Sequence, residues 1–342
     1  MLVSSRPRSR SIVSALVVAA TVAATVFLGS TARADTAPPA ERRVSIERIG
    51  GADRYEVSAA LSANTFSPGV PVVDIVSGAV FSDALSASAA VGVEGGGVLL
   101  VTRDSIPPVI AAELRRLQPA AIVIVGGTAT ISPEVETALG AFAPVVRRIA
   151  GADRYAVSAA VADAAFTRRV PVAYVASGET FPDALSGGAA AGHGRGPVLL
   201  TQRGAVPSDV LAYLARNQPR TIVLLGGVNS VSDAVFSQLN AIAPVVRIAG
   251  SDRYEVSVGI SSTTVPDQSG PHVYIASGAG FADALSGGPA AISADGPLLL
   301  VERDSIPPSV AAELVRMKPS EITVLGGENS VSAATLAALG RL

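Results

Sequence analysis

Arg48-Ile-Gly-Gly-Ala-Asp53-Arg54-Tyr55 is the first of three nearly identical stretches in this chain. The pattern returns as Arg148-Ile-Ala-Gly-Ala-Asp153-Arg154-Tyr155 and again as Arg247-Ile-Ala-Gly-Ser-Asp252-Arg253-Tyr254. The copies start 100 and 99 residues apart. A repeat of that length is a whole small domain, because the repeats of solenoid proteins span about 20–50 residues. The sequence therefore predicts three similar domains in series.

A second motif begins 29 or 30 residues after the start of each copy. It reads Ser77-Gly78-Ala-Val-Phe81-Ser-Asp83-Ala-Leu-Ser86 in the first copy and begins again at Ser177 and at Ser277. Because an enzyme usually needs a single active site, three copies favour multivalent binding or a pseudo-symmetric assembly. The two motifs together predict repeats over residues 44–143, 144–243 and 244–342.

The first residues carry the features of an export signal. Three arginines lie within the first ten residues, an apolar run covers residues 12–28, and Ala32-Arg33-Ala34 fits a small-x-small cleavage site. We therefore predict a signal peptide over residues 1–34 and a short linker over residues 35–43, with export to the cell surface. The alternative is an uncleaved membrane anchor, although the apolar run is at the short end for a span.

Charge and composition limit the possible classes of function. Without residues 1–34 the chain has a formal net charge of −6, so it offers no global basic field to nucleic acid or anionic lipid. The sequence has no cysteine, which excludes thiol catalysis, disulfide bonds and cysteine-based zinc sites. We expect no nucleic-acid partner, no membrane span after signal cleavage, and a fold that packed cores alone stabilise.

Short aliphatic runs alternate with amphipathic stretches of helical length in every repeat. The later runs of each repeat are largely apolar, as is typical of parallel strands covered on both faces. Helix signals follow them: Asp53 and Glu56 form a capping-box pattern, and Pro133 stands where the first turn of a helix tolerates proline. This order predicts an α/β fold of three tandem Rossmann-like or flavodoxin-like parallel-sheet modules. The strands predicted in the first repeat cover Val44–Ile49, Val72–Val76, Val98–Val101 and Ile122–Val125.

The helix that contains Asp-Ala-Leu-Ser is rich in small residues. Two of its copies hold the glycine pairs Gly187-Gly188 and Gly287-Gly288, and a glycine inside a helix costs about 1 kcal/mol relative to alanine. Close approach to another backbone compensates for such a cost. We therefore predict that the three helices meet at the junction between the repeats, near a common pseudo-threefold axis.

Taken together, the motifs resemble the bacterial cell wall binding repeat 2 family. The similarity covers residues 44–342, and Gly97-Val-Leu-Leu100, Pro197-Val-Leu-Leu200 and Pro297-Leu-Leu-Leu300 look like that family's Pro-Ile-Leu-Ile/Leu motif. Only the first copy departs from the pattern, with Gly97 in place of proline. The resemblance implies modules packed in threes as a compact pseudo-trimer. It also implies non-covalent attachment to an anionic secondary polymer of a Gram-positive cell wall, and the alanine- and arginine-rich composition suits an actinobacterial source.

Each repeat offers two kinds of group for binding an anionic polymer. Arginine side chains and free backbone N–H groups both hold phosphate or carboxylate. Each repeat has an arginine at the start of its first helix, another after its third strand, and a glycine pair after its fourth. Ligands of open α/β sheets bind outside the carboxyl ends of the strands, where these loops converge. The candidate ligand-binding residues are Arg54, Arg154, Arg253, Arg103, Arg203, Arg303, Gly126, Gly127, Gly226, Gly227, Gly326 and Gly327.

A structural role for the same positions is the alternative. The arginine of each Asp-Arg-Tyr motif can form an internal ion pair with the aspartate of Asp-Ala-Leu-Ser, and the glycine pairs can serve only as tight turns. The tyrosines and phenylalanines of the two motifs are expected to anchor the core. Structural or capping roles are assigned to Asp53, Asp153, Asp252, Asp83, Asp183 and Asp283.

Catalysis has little support in the sequence. His193 and His272 occupy different places in their repeats, so we expect both at the surface, with no catalytic triad, metal site or cofactor. The repeats fill the chain after residue 43, which leaves no room for a separate catalytic domain. We predict a secreted, non-catalytic protein that binds the wall as a monomer with an internal pseudo-trimer. A wall-modifying hydrolase of the amidase or peptidase type, and an adaptor that docks other exported proteins on the wall, remain alternatives.

Overall fold

The aliphatic runs of the sequence form strands, and the segments between them form helices. The computed structural model describes residues 44–166, 169–264, 270–281 and 283–342, and the predicted signal peptide (1–34) and linker (35–43) lie outside these ranges. The strands within them are Ser45–Ile49 (β1), Val72–Ser77 (β2), Gly97–Val101 (β3), Ala121–Val125 (β4), Val145–Ile149 (β5), Val172–Ser177 (β6), Val198–Thr201 (β7), Thr221–Leu225 (β8), Val245–Ile248 (β9), His272–Ser277 (β10), Leu298–Val301 (β11) and Glu321–Leu325 (β12).

Helices follow the strands in regular alternation, and local signals explain where several of them begin. Asp53 Oδ1 accepts the backbone N–H groups of Tyr55 and Glu56 at 2.9 Å, and Glu56 Oε2 accepts the N–H of Ala52 at 2.8 Å, which confirms the capping box. The helices are Arg54–Thr65 (α1), Phe81–Val93 (α2), Pro108–Leu117 (α3), Pro133–Leu139 (α4), Arg154–Ala165 (α5), Pro182–His193 (α6), Ser208–Asn217 (α7), Asp233–Asn240 (α8), Arg253–Thr264 (α9), Gly287–Ser293 (α10), Pro308–Met317 (α11) and Ala333–Leu339 (α12).

The strands form three four-stranded sheets, and every pairing between neighbouring strands is parallel. The strand orders are β3-β2-β4-β5, β7-β6-β8-β9 and β11-β10-β12-β1. If the strands are counted from β2, β6 and β10, and β1 is taken as the fourth strand of the last sheet, all three orders are 2-1-3-4, which is the flavodoxin-like arrangement. The predicted fold class is confirmed. We call the sheets with their helices modules 1, 2 and 3.

The sheets do not follow the predicted repeats at their edges. The strand that opens each repeat lies in the sheet of the preceding repeat, so β5 completes module 1 and β9 completes module 2. β1 completes module 3, where Ser45 pairs with Glu321 and Ile49 pairs with Leu325. The first strand of the chain therefore closes the three modules into a ring.

The small-residue helices α2, α6 and α10 pack against one another at the centre of this ring. A Cβ atom on Gly288 would lie 2.9 Å from the Cβ of Ser88, and one on Gly188 would lie 3.4 Å from the same atom. One turn further along, Ile292 fills the space beside Gly92 and Gly192. The predicted meeting of the three helices near a pseudo-threefold axis is confirmed, with one larger side chain and two glycines at each of these levels.

Four hydrophobic clusters follow from this arrangement. One runs through the inner faces of all three sheets and the central helices, and each module has a further cluster under its outer helices. No helix in the described ranges has the length and apolar character that a membrane crossing requires.

Candidate functional site

A recess opens at the carboxyl ends of the strands of module 2. The connections of β6 and β8, which are neighbours in the sheet, lead to opposite faces, and such a switch point leaves a crevice above the strands. The recess has a volume of about 210 Å³. Its walls come from the loops that follow β6, β8 and β9 and from the first turns of α6 and α9. The lining residues are Thr180, Pro182, Asp183, Gly227, Asn229, Ser230, Gly250, Ser251, Asp252, Arg253 and Val256. We call it the junction recess, because β9 and α9 lead from module 2 into module 3.

The junction recess brings together two of the predicted groups of ligand-binding residues. Arg253 and Gly227 both line it. Gly226 is the first residue after β8 and has a φ of +100°, which glycine adopts readily. A Cβ atom at Gly226 would lie 2.5 Å from Asp183 Oδ2, so only glycine leaves room for this carboxylate. The glycine pair thus provides both a turn and space for a buried acid.

The arginine of each Asp-Arg-Tyr motif links two modules. Arg154 Nη1 donates to the carbonyl oxygen of Gly178 at 2.6 Å, and its guanidinium carbon lies 5.8 Å from the ring centre of Phe81. Arg54 and Arg253 repeat this arrangement: Arg54 bonds to Gly78 and lies over the Phe281 ring, while Arg253 bonds to Gly278 and lies over the Phe181 ring. Such cation–π contacts contribute about 0.5–2 kcal/mol each. These arginines therefore have a structural role, and Arg253 also lines the junction recess.

The three phenylalanines themselves meet at the centre of the ring. The ring centres of Phe81, Phe181 and Phe281 are 5.5–5.8 Å apart, in edge-to-face or tilted geometry. Aromatic pairs at these distances contribute beyond the area that they bury. The expectation that these residues anchor the core is confirmed, and the core that they anchor is the one shared by the modules.

The aspartates of the two motifs differ in their surroundings. Asp53, Asp153 and Asp252 each accept backbone N–H groups and cap a helix, as predicted. Asp83 and Asp183 do not cap: the residues before α2 and α6 are Val80 and Phe181, neither of which makes a side-chain capping bond. Asp83 and Asp183 lie within the first turns of α2 and α6, and both are buried.

Burial changes the acidity of these inner aspartates. Burial raises the pKa of Asp83 to about 6, although the nearby Arg154 and a hydrogen bond from Ser82 act in the opposite direction. Burial likewise raises the pKa of Asp183, and Arg253 opposes this shift. Each arginine thus acts across a module boundary on the aspartate of the preceding module. The interaction suggested by the sequence is present as a longer-range attraction, and no direct contact between these partners is among the ion pairs of the described residues.

The arginines after the third strands lie outside the recess. The Arg103 side chain is 57% exposed, pairs with Asp104 at 2.6 Å, and donates from Nε to the carbonyl oxygen of Ala129 at 3.1 Å. Arg303 pairs in the same way with Asp304. The backbone carbonyls of Arg103, Arg203 and Arg303 accept the N–H groups of Ser132, Ser232 and Ser332. These arginines therefore flank the loop after the fourth strand on its outer side.

A third set of arginines was not singled out from the sequence. Arg48 Nη1 donates to the carbonyl oxygen of Gly326 at 2.8 Å, and its Nη2 donates to that of Val331 at 2.8 Å. Arg148 and Arg247 hold the carbonyls of Gly126 and Gly226 in the same way. The first residue of the Arg-Ile-x-Gly-x-Asp-Arg-Tyr motif thus holds the double-glycine loop of the sheet to which its own strand belongs. Its recurrence in all three motifs was the available signal.

The two histidines are less exposed than predicted. The His193 side chain is only 12% exposed and lies between Gly296 O, 3.0 Å from Nε2, and Asp295 Oδ1, 3.2 Å from Nδ1. His272 is also partly buried, stacks on Tyr274 and contacts Thr323 Oγ1 at 2.7 Å. The prediction of a surface position was wrong because both residues lie at contacts between elements. No cluster of three or more metal-ligating side chains occurs in the part of the chain that the structure describes.

Comparison with known proteins gives a consistent result. The chain is 30% identical over 289 residues to the amidase enhancer of Bacillus subtilis (strain 168), an alignment that covers 84% of this chain and 39% of that protein. It is 25% identical over 288 residues to the N-acetylmuramoyl-L-alanine amidase LytC of the same organism, covering 84% of this chain and 56% of LytC. The chain thus spans about half the length, or less, of these curated relatives.

Solved structures share the architecture. Cwp6 from Clostridium difficile superimposes with a TM-score of 0.80 at 23% identity, over 87% of this chain and 48% of Cwp6. Cwp8 from the same organism gives a TM-score of 0.78 at 23% identity, over 87% of this chain and 52% of Cwp8. The model of the family called cell wall binding domain 2 matches three times, over residues 48–136, 148–236 and 247–336. The chain therefore belongs to the cell wall binding domain 2 family.

Proposed function

We propose that this protein attaches non-covalently to an anionic secondary polymer of the bacterial cell wall through the carboxyl-end loops of its three modules. Family membership supports wall binding. The observation that carries the proposal is the junction recess, in which Arg253 and the loop of Gly227 face one opening of about 210 Å³. Guanidinium and backbone N–H groups are the donors that phosphate and carboxylate prefer.

The threefold repetition of the site supports binding to a polymer rather than to a single small molecule. Arg54, Arg154 and Arg253 have matching contacts in the three modules. A repeating polymer that contacts two or three such sites on one rigid body gains roughly 10²–10⁴ in effective affinity. Weak individual sites are therefore sufficient for stable attachment.

The exposed arginines give the polymer a path between the sites. Arg103, Arg203 and Arg303 lie beside the double-glycine loops, and the loop of Gly227 lines the junction recess. Because Arg103 and Arg303 are paired with neighbouring aspartates, their contribution to the attraction is smaller than that of a free arginine. In the proposal the inner arginines and the loops of Gly126-Gly127, Gly226-Gly227 and Gly326-Gly327 fix acidic groups, and the outer arginines guide the chain.

The proposal includes export and a non-catalytic role. Residues 1–34 act as a signal peptide, residues 35–43 act as a linker, and the three repeats act as the binding units of a monomer at the cell surface. His193 and His272 are engaged by different neighbours at separate places, which supports binding rather than acid–base catalysis. Two relatives carry amidase-related names, and the chain aligns with only part of each.

Co-sedimentation of the mature protein with purified cell walls tests the proposal. We expect the protein to pellet with native walls, to stay in solution after acid extraction of the secondary polymer, and to dissociate progressively as salt screens the ion pairs. A variant in which Arg103, Arg203 and Arg303 are all glutamine should bind more weakly and lose part of the salt dependence. The matched control removes the same number of charges by changing the exposed Arg216, Arg220 and Arg341, which lie away from these loops, to glutamine. Equal pelleting with native and stripped walls contradicts the proposal.

A further inference from the structure

Asp183 is buried, with only 7% of its surface exposed. No group among the described residues donates a hydrogen bond to its carboxylate. An ionised carboxylate can accept about four hydrogen bonds, and leaving a buried one without donors is costly. Its counterpart in module 3, Asp283, accepts a hydrogen bond from the hydroxyl of Ser330. In module 1, Ser82 acts to lower the pKa of Asp83. Asp183 therefore has more unused acceptor capacity than Asp283.

This carboxylate faces the junction recess, where its neighbours are mostly small polar side chains. Thr180, Asn229, Ser230 and Ser251 line the opening together with Asp183, and Val256 contributes an apolar surface. A cluster of hydroxyl and amide groups around one buried carboxylate suits a ligand that both donates and accepts hydrogen bonds at several points. Sugar hydroxyl groups have this property.

A cation is a poorer candidate for the same position. The only other acid that lines the recess is Asp252, whose Oδ1 already accepts the N–H groups of Tyr254 and Glu255 at 2.9 Å. Arg253 lines the recess as well, and its positive charge disfavours a metal ion or an ammonium group there. A neutral donor such as a hydroxyl group avoids this repulsion and satisfies the carboxylate.

We propose that Asp183 accepts hydrogen bonds from vicinal hydroxyl groups of one sugar residue of the wall polymer, which the junction recess holds beside Arg253. This inference rests on the proposed function, and it specifies which chemical group of the polymer the junction recess recognises. The acidic group of the polymer is bound by Arg253 and the Gly227 loop, while Asp183 selects for an unsubstituted diol on the neighbouring ring. The site between modules 2 and 3 is then the one that recognises the sugar, because Asp183 lines the junction recess and, unlike Asp283, has no internal hydroxyl donor among the described residues.

Periodate oxidation of the walls tests this without any change to the protein. Periodate cleaves the carbon–carbon bond of a vicinal diol, and borohydride then reduces the resulting aldehydes, while phosphate and carboxylate groups are left intact. We expect at least a tenfold loss in the affinity of the wild-type protein for oxidised and reduced walls. Walls treated with borohydride alone are the control. Undiminished binding to the oxidised walls overturns the inference.

The Asp183→Asn variant gives a second, independent measurement. Asparagine keeps the shape but loses one of the two acceptor oxygens and the charge, so we expect binding to native walls about tenfold weaker and a smaller further loss on oxidised walls. Thr180→Val, on the exposed side of the recess, should weaken binding in the same direction. Asp209→Asn, an exposed change on another face, should leave binding unchanged. A melting curve shows that each variant is folded.

The outcomes separate this inference from the proposed function. If the wild-type protein does not pellet with native walls, or pellets equally with acid-stripped walls, the proposed function fails. If it pellets with native walls only, while periodate and both recess variants have no effect, wall binding stands and the role of Asp183 is wrong.

Discussion

The hydroxyl of Ser88 donates to the carbonyl oxygen of Leu285 at 3.3 Å, across the centre of the ring. It also bonds to Ala84 O within its own helix at 2.9 Å. The equivalent positions on the other two central helices are Gly188 and Gly288. Ser88, Gly188 and Gly288 therefore lie together near the axis, and serine at all three positions would bring their Cβ atoms too close. Three similar modules have become specialised at the point where they touch.

This packing predicts different tolerance at two equivalent glycines. A Cβ atom at position 188 makes an ordinary contact with Ser88 at 3.4 Å, so Gly188→Ala should be neutral or stabilise by up to about 1 kcal/mol through helix propensity. A Cβ atom at position 288 lies 2.9 Å from Ser88, so Gly288→Ala should destabilise. Gly188→Leu overfills the axis and should cost about 1–3 kcal/mol. Urea unfolding measures all three, and a Gly188→Leu variant with wild-type stability contradicts the tight axis.

Closure of the ring by β1 gives a second prediction. Arg48 donates to the carbonyls of Gly326 and Val331, just as Arg247 donates to those of Gly226 and Val231. Hydrogen bonds from a charged donor contribute about 1.5–3 kcal/mol, so Arg48→Ala and Arg247→Ala should each destabilise by that amount.

The comparison between the two variants is informative because β9 is internal to the chain while β1 precedes all modules. Equal losses in the free energy of unfolding indicate that the ring is closed in solution. No loss for Arg48→Ala, with a normal loss for Arg247→Ala, shows that β1 is detached from module 3. Arg341→Ala, near the exposed end of the described chain, should have no effect and serves as the control.

The elevated pKa of Asp83 predicts a specific dependence of stability on pH. Its folded pKa of about 6 lies above the value of about 3.9 expected in the unfolded chain, so the unfolded state loses its proton first as the pH rises. The wild-type protein should therefore lose stability relative to Asp83→Asn between about pH 4 and pH 6, by roughly 2–3 kcal/mol in total. Above pH 6 the difference should stay constant.

Urea unfolding of both proteins at several pH values between 4 and 7 measures this difference directly. Asp209→Asn, at an exposed position, controls for the general effect of removing one acid. A difference between the wild-type protein and Asp83→Asn that does not change with pH shows that the buried carboxyl group keeps an ordinary pKa.

The inner strands of each sheet could be predicted from local sequence patterns, whereas the sheet to which an edge strand belongs could not be read from that strand alone. The inner strands were predictable because apolar runs such as Ile122–Val125 suit only a covered parallel sheet. β5 reads Val145-Val-Arg-Arg-Ile149, a mixture of apolar and charged residues that is compatible with the edge of either neighbouring sheet. The short connection from α4 to β5 was the signal that this strand returns to the sheet of module 1, because a strand–helix–strand crossover normally ends beside the preceding strand.

The site was predictable in its composition but less so in its details. The motifs placed Arg253 and Gly227 at strand ends, and the crevice brings them together. The burial of Asp183 was not predictable, because an aspartate just before a helical run has the same sequence pattern as an N-cap. The hydrogen bond from Arg48 to the carbonyl of Gly326 depends on the pairing between the first and last strands, which no local sequence pattern reveals.

A pair of adjacent serines on α9 provides the last prediction. The hydroxyl of Ser261 donates to Glu313 Oε1 at 2.7 Å in the interior, where Glu313 is also held by Arg316 at 2.7 Å. Loss of this hydroxyl leaves a buried carboxylate with one donor fewer, so Ser261→Ala should cost about 1.5–3 kcal/mol of unfolding free energy. The hydroxyl of Ser262 bonds to the carbonyl of Gly259 on the exposed side of the same helix, so Ser262→Ala should change stability by less than about 0.5 kcal/mol. Thermal and urea unfolding of the two variants measure the contrast, and equal effects at the two positions would show that the internal Ser–Glu–Arg arrangement contributes nothing to stability.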